Sequence, residues 1–249
     1  MSNIKNPKSF AAAAKDIASD VPPAPAVPAT TTASTALVTP VTDTGGFTGE
    51  FDASDIIMPR LSIVQKVGDL SEQFDPGAIV LNKRLLLADP GESLTVTVVR
   101  AKKYFMEIRP YGDEVRPRIF NTHAETLAAG FTLETDWTTG AKATAKPVLD
   151  CVVAIHGTAK LATAPEFALV HEGTPFALAL WSINSVSAYK ESAKVLLSAK
   201  QMYLKRFVEQ SWSLTTGKVK FGVNTVFTPA VTPLAANPAA RADWLDSLV

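Results

Sequence analysis

One cysteine, Cys151, is all the chain has. No disulfide can close within it, and no thiol pair can anchor a zinc site. A reducing cytoplasm is the expected location. Long apolar runs are missing too: nothing approaches the roughly 20 residues a membrane span needs. The N-terminal "FAAAA" is too short and too weakly apolar for the core of a signal peptide. Net charge is absent, since 24 Lys and Arg balance 24 Asp and Glu, which argues against a protein that coats a polyanion by bulk attraction. Catalytic signatures are lacking as well, with no G-x-S-x-G elbow, no phosphate loop and no G-x-G-x-x-G. His123, His156 and His171 stand far apart and lack metal-ligand spacing. Cys151 and His156, five apart on one expected strand, point to opposite faces and cannot form a couple. Asp113 with Glu114, or Asp52 with Asp55, would hold Mg²⁺ only with further acids beside them, and a solvated loop pair is the simpler account. The expectation is therefore no enzyme, no cofactor, no metal and no membrane.

What the chain does have is a core's worth of apolar residues, 47% hydrophobic against 19% charged over 249 residues, enough for one sizeable domain. Residues 1–46 are expected to be a flexible arm. "DVPPAPAVPATTTASTALVTPVTDTGG" is rich in Pro, Ala and Thr and cannot bury enough surface to offset its ordering entropy. Ahead of it, Phe10, Ala14 and Ile17 suit one face of a short helix, and an unstructured tail is equally open. Residues 47–228 read as a β-rich globular domain. Two "DPG" turns, Asp75–Gly77 and Asp89–Gly91, bracket "AIVLNKRLLLA", expected as one strand. "SLTVTVVRAKKYFMEI" alternates as the next, and tight turns in series point to an antiparallel meander. "PVLDCVVAIHG" and "TPFALALWSIN" read as central strands. A helix is expected over Val186 to Arg206, capped by Ser182 or Asn184. A hairpin is expected from Phe207 to Leu214 and Val219 to Phe227 around a Thr-Thr-Gly turn. Residues 229–249 read as a proline-rich linker ending in the amphipathic tip "RADWLDSLV". The fold class is thus mainly β with one substantial helix, barrel-like, flanked by disordered termini.

The zero net charge hides two basic stretches. From Lys83 to Arg118 there are eight cations against five acids, and from Tyr189 to Phe221 seven against two. Aromatics are interleaved with both. Binders of single strands need this mixture, because cations track phosphates while rings stack the unpaired bases. The candidate nucleic-acid contacts are Arg100, Lys102, Lys103, Tyr104 and Tyr111 in the first stretch, and Lys194, Tyr203, Lys205, Arg206, Trp212, Lys218 and Lys220 in the second. In an extended strand Lys102 and Tyr104 share one face, Lys103 and Phe105 the other. The competing account is that the rings pack the core and the lysines merely solvate a surface.

With "RAKKYF" and "KVKF" on strands, a helix between later strands, and a linker leading to "ADWLDSLV", the layout resembles the bacteriophage single-stranded DNA-binding proteins built on an OB-fold. "DIIMPRLSIVQKVGDLSEQFDPGAIV" is also similar to a widespread class of phage proteins. The resemblance implies a barrel that holds single-stranded DNA during phage replication or recombination, in the host cytoplasm. It also implies a tip, Asp243, Trp244, Asp246 and Leu248, that recruits replication partners, although two acids are fewer than such tails usually carry. The alternative is a virion structural or assembly protein, a decoration or scaffold-associated subunit whose arms lie along neighbours. A homo-oligomer suits either reading.

Overall fold

The computed structural model describes residues 57–110, 112–221 and 224–248. The expected N-terminal arm, the first residues of the globular part and Tyr111 lie outside them. The described chain is mainly antiparallel β with a few helices. Strands β1 (Leu61–Ile63), β2 (Ile79–Leu81) and β3 (Leu85–Ala88) make a small sheet in that order. The others make a seven-stranded sheet: β4 (Leu94–Glu107), β5 (Ile119–Phe120), β6 (Ala145–His156), β7 (Leu169–His171), β8 (Thr174–Ile183), β9 (Gln210–Phe221) and β10 (Asn224–Ala236). Its order is β10-β9-β4-β6-β8-β7, with β5 paired to β4. The helices are α1 (His123–Ala128), α2 (Val186–Ala188), α3 (Lys194–Met202) and α4 (Ala239–Asp246), and one π-helical segment, Tyr189–Ala193, joins α2 to α3.

Both DPG turns form as their residues dictate. Gly77 and Gly91 take φ of 100° and 88°, and the amides of Ala78 and Glu92 close on the carbonyls of Asp75 and Asp89, each at 3.0 Å. Between them, "AIVLNKRLLLA" is two strands rather than one. Asn82 and Lys83 both adopt left-handed φ, 49° and 61°, which folds β3 back onto β2 with Leu81 opposite Leu85. The expected Thr-Thr-Gly turn is likewise absent. Gly217 lies inside β9 opposite Thr228, and the hairpin reverses between Phe221 and Asn224.

The expected C-terminal linker is folded. β10 runs through Pro229 and Pro233 to Ala236, which is possible because β10 is an edge strand and a proline there need not donate to a ladder. The helix of the second basic stretch ends at Met202, short of Arg206. The amides of Tyr203 and Leu204 both close on the Ala199 carbonyl, and Lys200 Nζ caps the Lys205 carbonyl at 2.8 Å. Its N-cap is Ser185, whose Oγ accepts from the Ala188 amide.

A bulge between Val98 and Arg100 governs which side chains of β4 face where. Val96, Val98 and Ala101 face the main core with Leu149, Cys151, Val153 and Ile155 of β6, which β1, β2 and the α2–α3 run cover from the other side. Val99, Ala154 and Phe176 belong to a second core, closed by Ala242 and Leu245 of α4. One short segment reaches both margins of the large sheet. The Leu180 amide donates to the Pro59 carbonyl at 2.8 Å. At the other end, the Gln65 side chain donates to the Phe227 carbonyl (2.8 Å) and accepts from the Phe227 amide (3.0 Å).

Candidate nucleic-acid interface

The first basic stretch is divided between two faces. Lys102 stands opposite Asp150 and Lys103 opposite Leu149, so Lys102 and Tyr104 turn away from the main core while Lys103 lies on its side. Lys103 Nζ sits over the Phe105 ring at 5.3 Å. Arg100 and Lys102 are exposed, with the Asp150 carboxylate beside Lys102 accepting from Ser182 Oγ at 2.6 Å. Tyr104 is half-buried; burial, and then the neighbouring Asp150 charge, raises its phenol above the ordinary value.

In the second stretch the candidates separate by role. Lys194 projects from α3 and Lys205 follows it, both exposed, and Tyr203 is 78% exposed at the helix end. Lys218 and Lys220 are exposed near the free end of β9, with Lys218 Nζ 5.7 Å from the centre of the Phe227 ring. Trp212, expected as a stacking ring, is only 2% exposed and belongs to the main core; the alternation of β9 turns it inward with Leu214. Arg206, expected on a phosphate, is instead held by carboxylates: Asp243 at 2.8 Å, Asp246 at 3.4 Å and Glu209 at 3.6 Å.

The expected partner-binding tip is therefore a docked element. Trp244 stacks on His171 with ring centroids 4.7 Å apart and planes 16° apart, and meets Phe176 at 5.1 Å. Leu248 packs on the same cluster. Asp243 and Asp246 spend their charge on Arg206. An aromatic and a leucine that looked like bait for a partner are here the hydrophobic underside of α4.

Two cavities bear on the site. One, of about 530 Å³, opens between α3 and the β9–β10 edge and is lined by Lys194, Val195, Tyr203, Leu204, Trp212 and Pro233 among others. It brings together three residues singled out separately in the sequence. The other, of about 740 Å³, lies where β1, the end of β8 and β10 meet, beside Gln65, Asn184 and Phe227.

Burial pushes the Cys151 thiol up to about 12, far from a nucleophilic thiolate at neutral pH. Cys151 and His156 do face opposite ways, the first into the main core and the second onto Thr97 Oγ1 at 2.9 Å. Thr97 in turn meets Ser211, whose hydroxyl donates to Asn237 just ahead of α4. Among the described residues no three His, Cys, Asp or Glu side chains group as metal ligands would, and no helix is long and apolar enough to cross a membrane.

One residue escaped the sequence reading. Trp137 is 91% exposed on a loop tied by Asp136, which accepts from the Thr138 amide (2.8 Å) and Thr139 Oγ1 (2.6 Å). Those bonds hold the Asp136 carboxyl below its usual range. The signal was present in "DWTTG": an Asx-type turn that leaves its tryptophan nothing to pack against. No family model matches the chain, and no curated protein or solved structure matches it.

Proposed function

We propose that the protein binds single-stranded nucleic acid without reading its sequence, as DNA in phage replication or recombination, and that it needs no catalytic group or cofactor to do so. The observation that carries the reading is the convergence of Lys194, Tyr203 and Trp212 on one cavity, with exposed Lys205 close by in sequence. Lys218 and Lys220 share the inward-facing parity of β9 with Trp212, about 20 and 27 Å further along the strand. A phosphate track over that side of the sheet would need little from the opposite face. An OB-like barrel belongs to the same proposal. What supports it is the segment from Pro59 to Gln65, which hydrogen-bonds to β8 at one end and β10 at the other.

The test is fluorescence anisotropy of a labelled oligo-dT of about 30 nucleotides, long enough to span one or more sites, at several salt concentrations with equal-length duplex as competitor. Tight, salt-sensitive binding that duplex does not compete away is expected. Each phosphate contact on a single strand contributes about 0.7 to the salt slope. Lys218→Ala with Lys220→Ala should therefore lower the slope by about 1.4. Lys102→Ala with Lys103→Ala should lower it by no more than about 0.7, because those two face opposite ways. Trp137 favours the assembly reading instead, since a tryptophan left 91% exposed is what a protein interface uses as an anchor. No oligonucleotide binding, together with self-association that Trp137→Ala abolishes, would replace the first reading with that one.

A further inference from the structure

We infer that the Trp137 loop of one copy docks into the cavity between α3 and the β9–β10 edge of a second copy, in a head-to-tail contact. The loop is shaped as a knob. Thr132 and Thr144 pinch its base, the Thr132 amide donating to Thr144 Oγ1 at 2.8 Å. Above the pinch, the Asp136 amide closes on the Ala141 carbonyl and the Gly140 amide on the Asp136 carbonyl, each at 2.8 Å. Trp137 is left at the tip, 91% exposed. An aromatic side chain of that kind can bury about 150–250 Å² against a partner.

The cavity is a recess for a flat apolar group. Val195 and Leu204 line it with the Trp212–Pro233 pair, which stand directly opposite each other in register, and Tyr203 is exposed at its mouth. Among the described residues, Trp137 and Tyr203 are the two strongly exposed rings, and Tyr203 already belongs to the recess. Charge selects the same occupant. Exposed Glu134 and Asp136 flank Trp137, with no cation from Thr132 to Ala141. On the other side Lys194 lines the recess, exposed Lys190 and Lys205 lie on the same basic stretch, and no lining residue is acidic. Ring meets apolar wall while carboxylates meet lysines.

The two parts cannot meet within one copy. Trp212 stands opposite Val96 on β4, and the loop returns to the sheet at Ala145, opposite Glu107 on the same strand. That places them about 36 Å apart along β4, whereas a tip five residues beyond its pinch reaches about 17 Å at most. Knob and recess are different surfaces, so the contact is heterologous and builds a ring or an open chain. A ring with two carboxylates buries less than the roughly 1,200 Å² of a stable interface, so the association is weak.

Sedimentation equilibrium of the full chain, up to about 1 mM, tests the contact. Wild type should self-associate, and Trp137→Ala should weaken this by about 30-fold or more, the loss expected of an anchoring residue. Val195→Trp, which fills the recess from an exposed position on α3, should do the same. Ser198→Trp, also exposed on the lining, replaces it if that variant does not fold. The deciding arm mixes the two classes: Trp137→Ala keeps the recess and Val195→Trp keeps the knob, so together they should form a dimer that grows no further. A monomeric wild type, undiminished association in both recess variants, or no dimer on mixing would each overturn the contact. The single-strand reading uses the same cavity, so oligo-dT should dissociate the wild-type assembly. Association that oligo-dT leaves untouched keeps the contact and removes the cavity from that reading. Tight oligo-dT binding by a protein that stays monomeric overturns the contact and keeps the reading.

Discussion

Leu245→Ala should lower the unfolding free energy by about 3 kcal/mol, in the middle of the range for a leucine truncated in a packed core. Leu245 is 0% exposed and, with Ala242, closes the second core over Val99, Ala154, Phe176 and Val208. Removing its branch leaves a void that a short helix held at one end by Pro238 is poorly placed to fill. The ion pairs beside it matter far less. Asp243 and Asp246 are largely exposed, and pairs of that kind contribute about 0–1 kcal/mol, so Asp243→Asn with Asp246→Asn should shift the urea midpoint only slightly. Urea unfolding followed by tryptophan fluorescence separates the two. A tail built to detach and recruit partners would show the opposite order, with Leu245→Ala silent, and that result would undo the account of α4 as part of the fold.

Stability should also fall in mild acid. Burial, and then the positive charge of Arg241, lowers the His156 imidazole from 6.5 to about 4. The folded state keeps the ring neutral, bonded to Thr97, while the unfolded chain takes up its proton near 6.5. Unfolding therefore binds a proton between those values. The contribution is complete above pH 6.5, declines as pH falls from there, and is gone once pH passes below about 4. A gap of that size corresponds to about 3 kcal/mol. Asp113, Asp136 and Glu209 are held below their ordinary ranges by hydrogen bonds, joined at Asp113 and Glu209 by arginine charge, so their losses come at lower pH. Urea midpoints measured from pH 7.5 to 4 should decline in the wild type and stay nearly level in His156→Gln. A wild-type midpoint that is level across that interval would show that His156 titrates alike in both states.

Much of the sheet was readable from alternation. β4, β6 and β8 announced themselves because each has one face in a core and turns to match. The errors came where one residue type has two uses. "AIVLNKRLLLA" is apolar on both sides of its reversal, and Asn82-Lys83 lacks the glycine that usually marks such a turn, so nothing local separates one long strand from two short ones. Gly217 does look like a turn but sits in a ladder with open space above it. Pro229 and Pro233 argue for a linker unless the strand is known to be an edge, and edge position is a property of the assembled sheet.

The site was legible to a similar degree. Positive charge and aromatic content could be counted, but exposure could not. Trp212 and Tyr203 lie nine residues apart in one basic stretch, yet one is core and the other is bare. Arg206 looked like any other cation because its carboxylates, Asp243 and Asp246, are 37 and 40 residues away. Trp244 looked like a lure because the ring it stacks on, His171, lies on a strand the sequence did not reveal.

Gln65 bonds to both backbone groups of Phe227 across a separation of 162 residues, while a few positions earlier Pro59 holds Leu180. A single stretch of chain thus acts as a buckle across two margins of the large sheet. If the stretch slips, the amides of Leu180 and Phe227 lose their acceptors in the same event. Their hydrogens should then exchange with solvent at a common rate, set by the opening of the buckle rather than by the fraying of either margin alone.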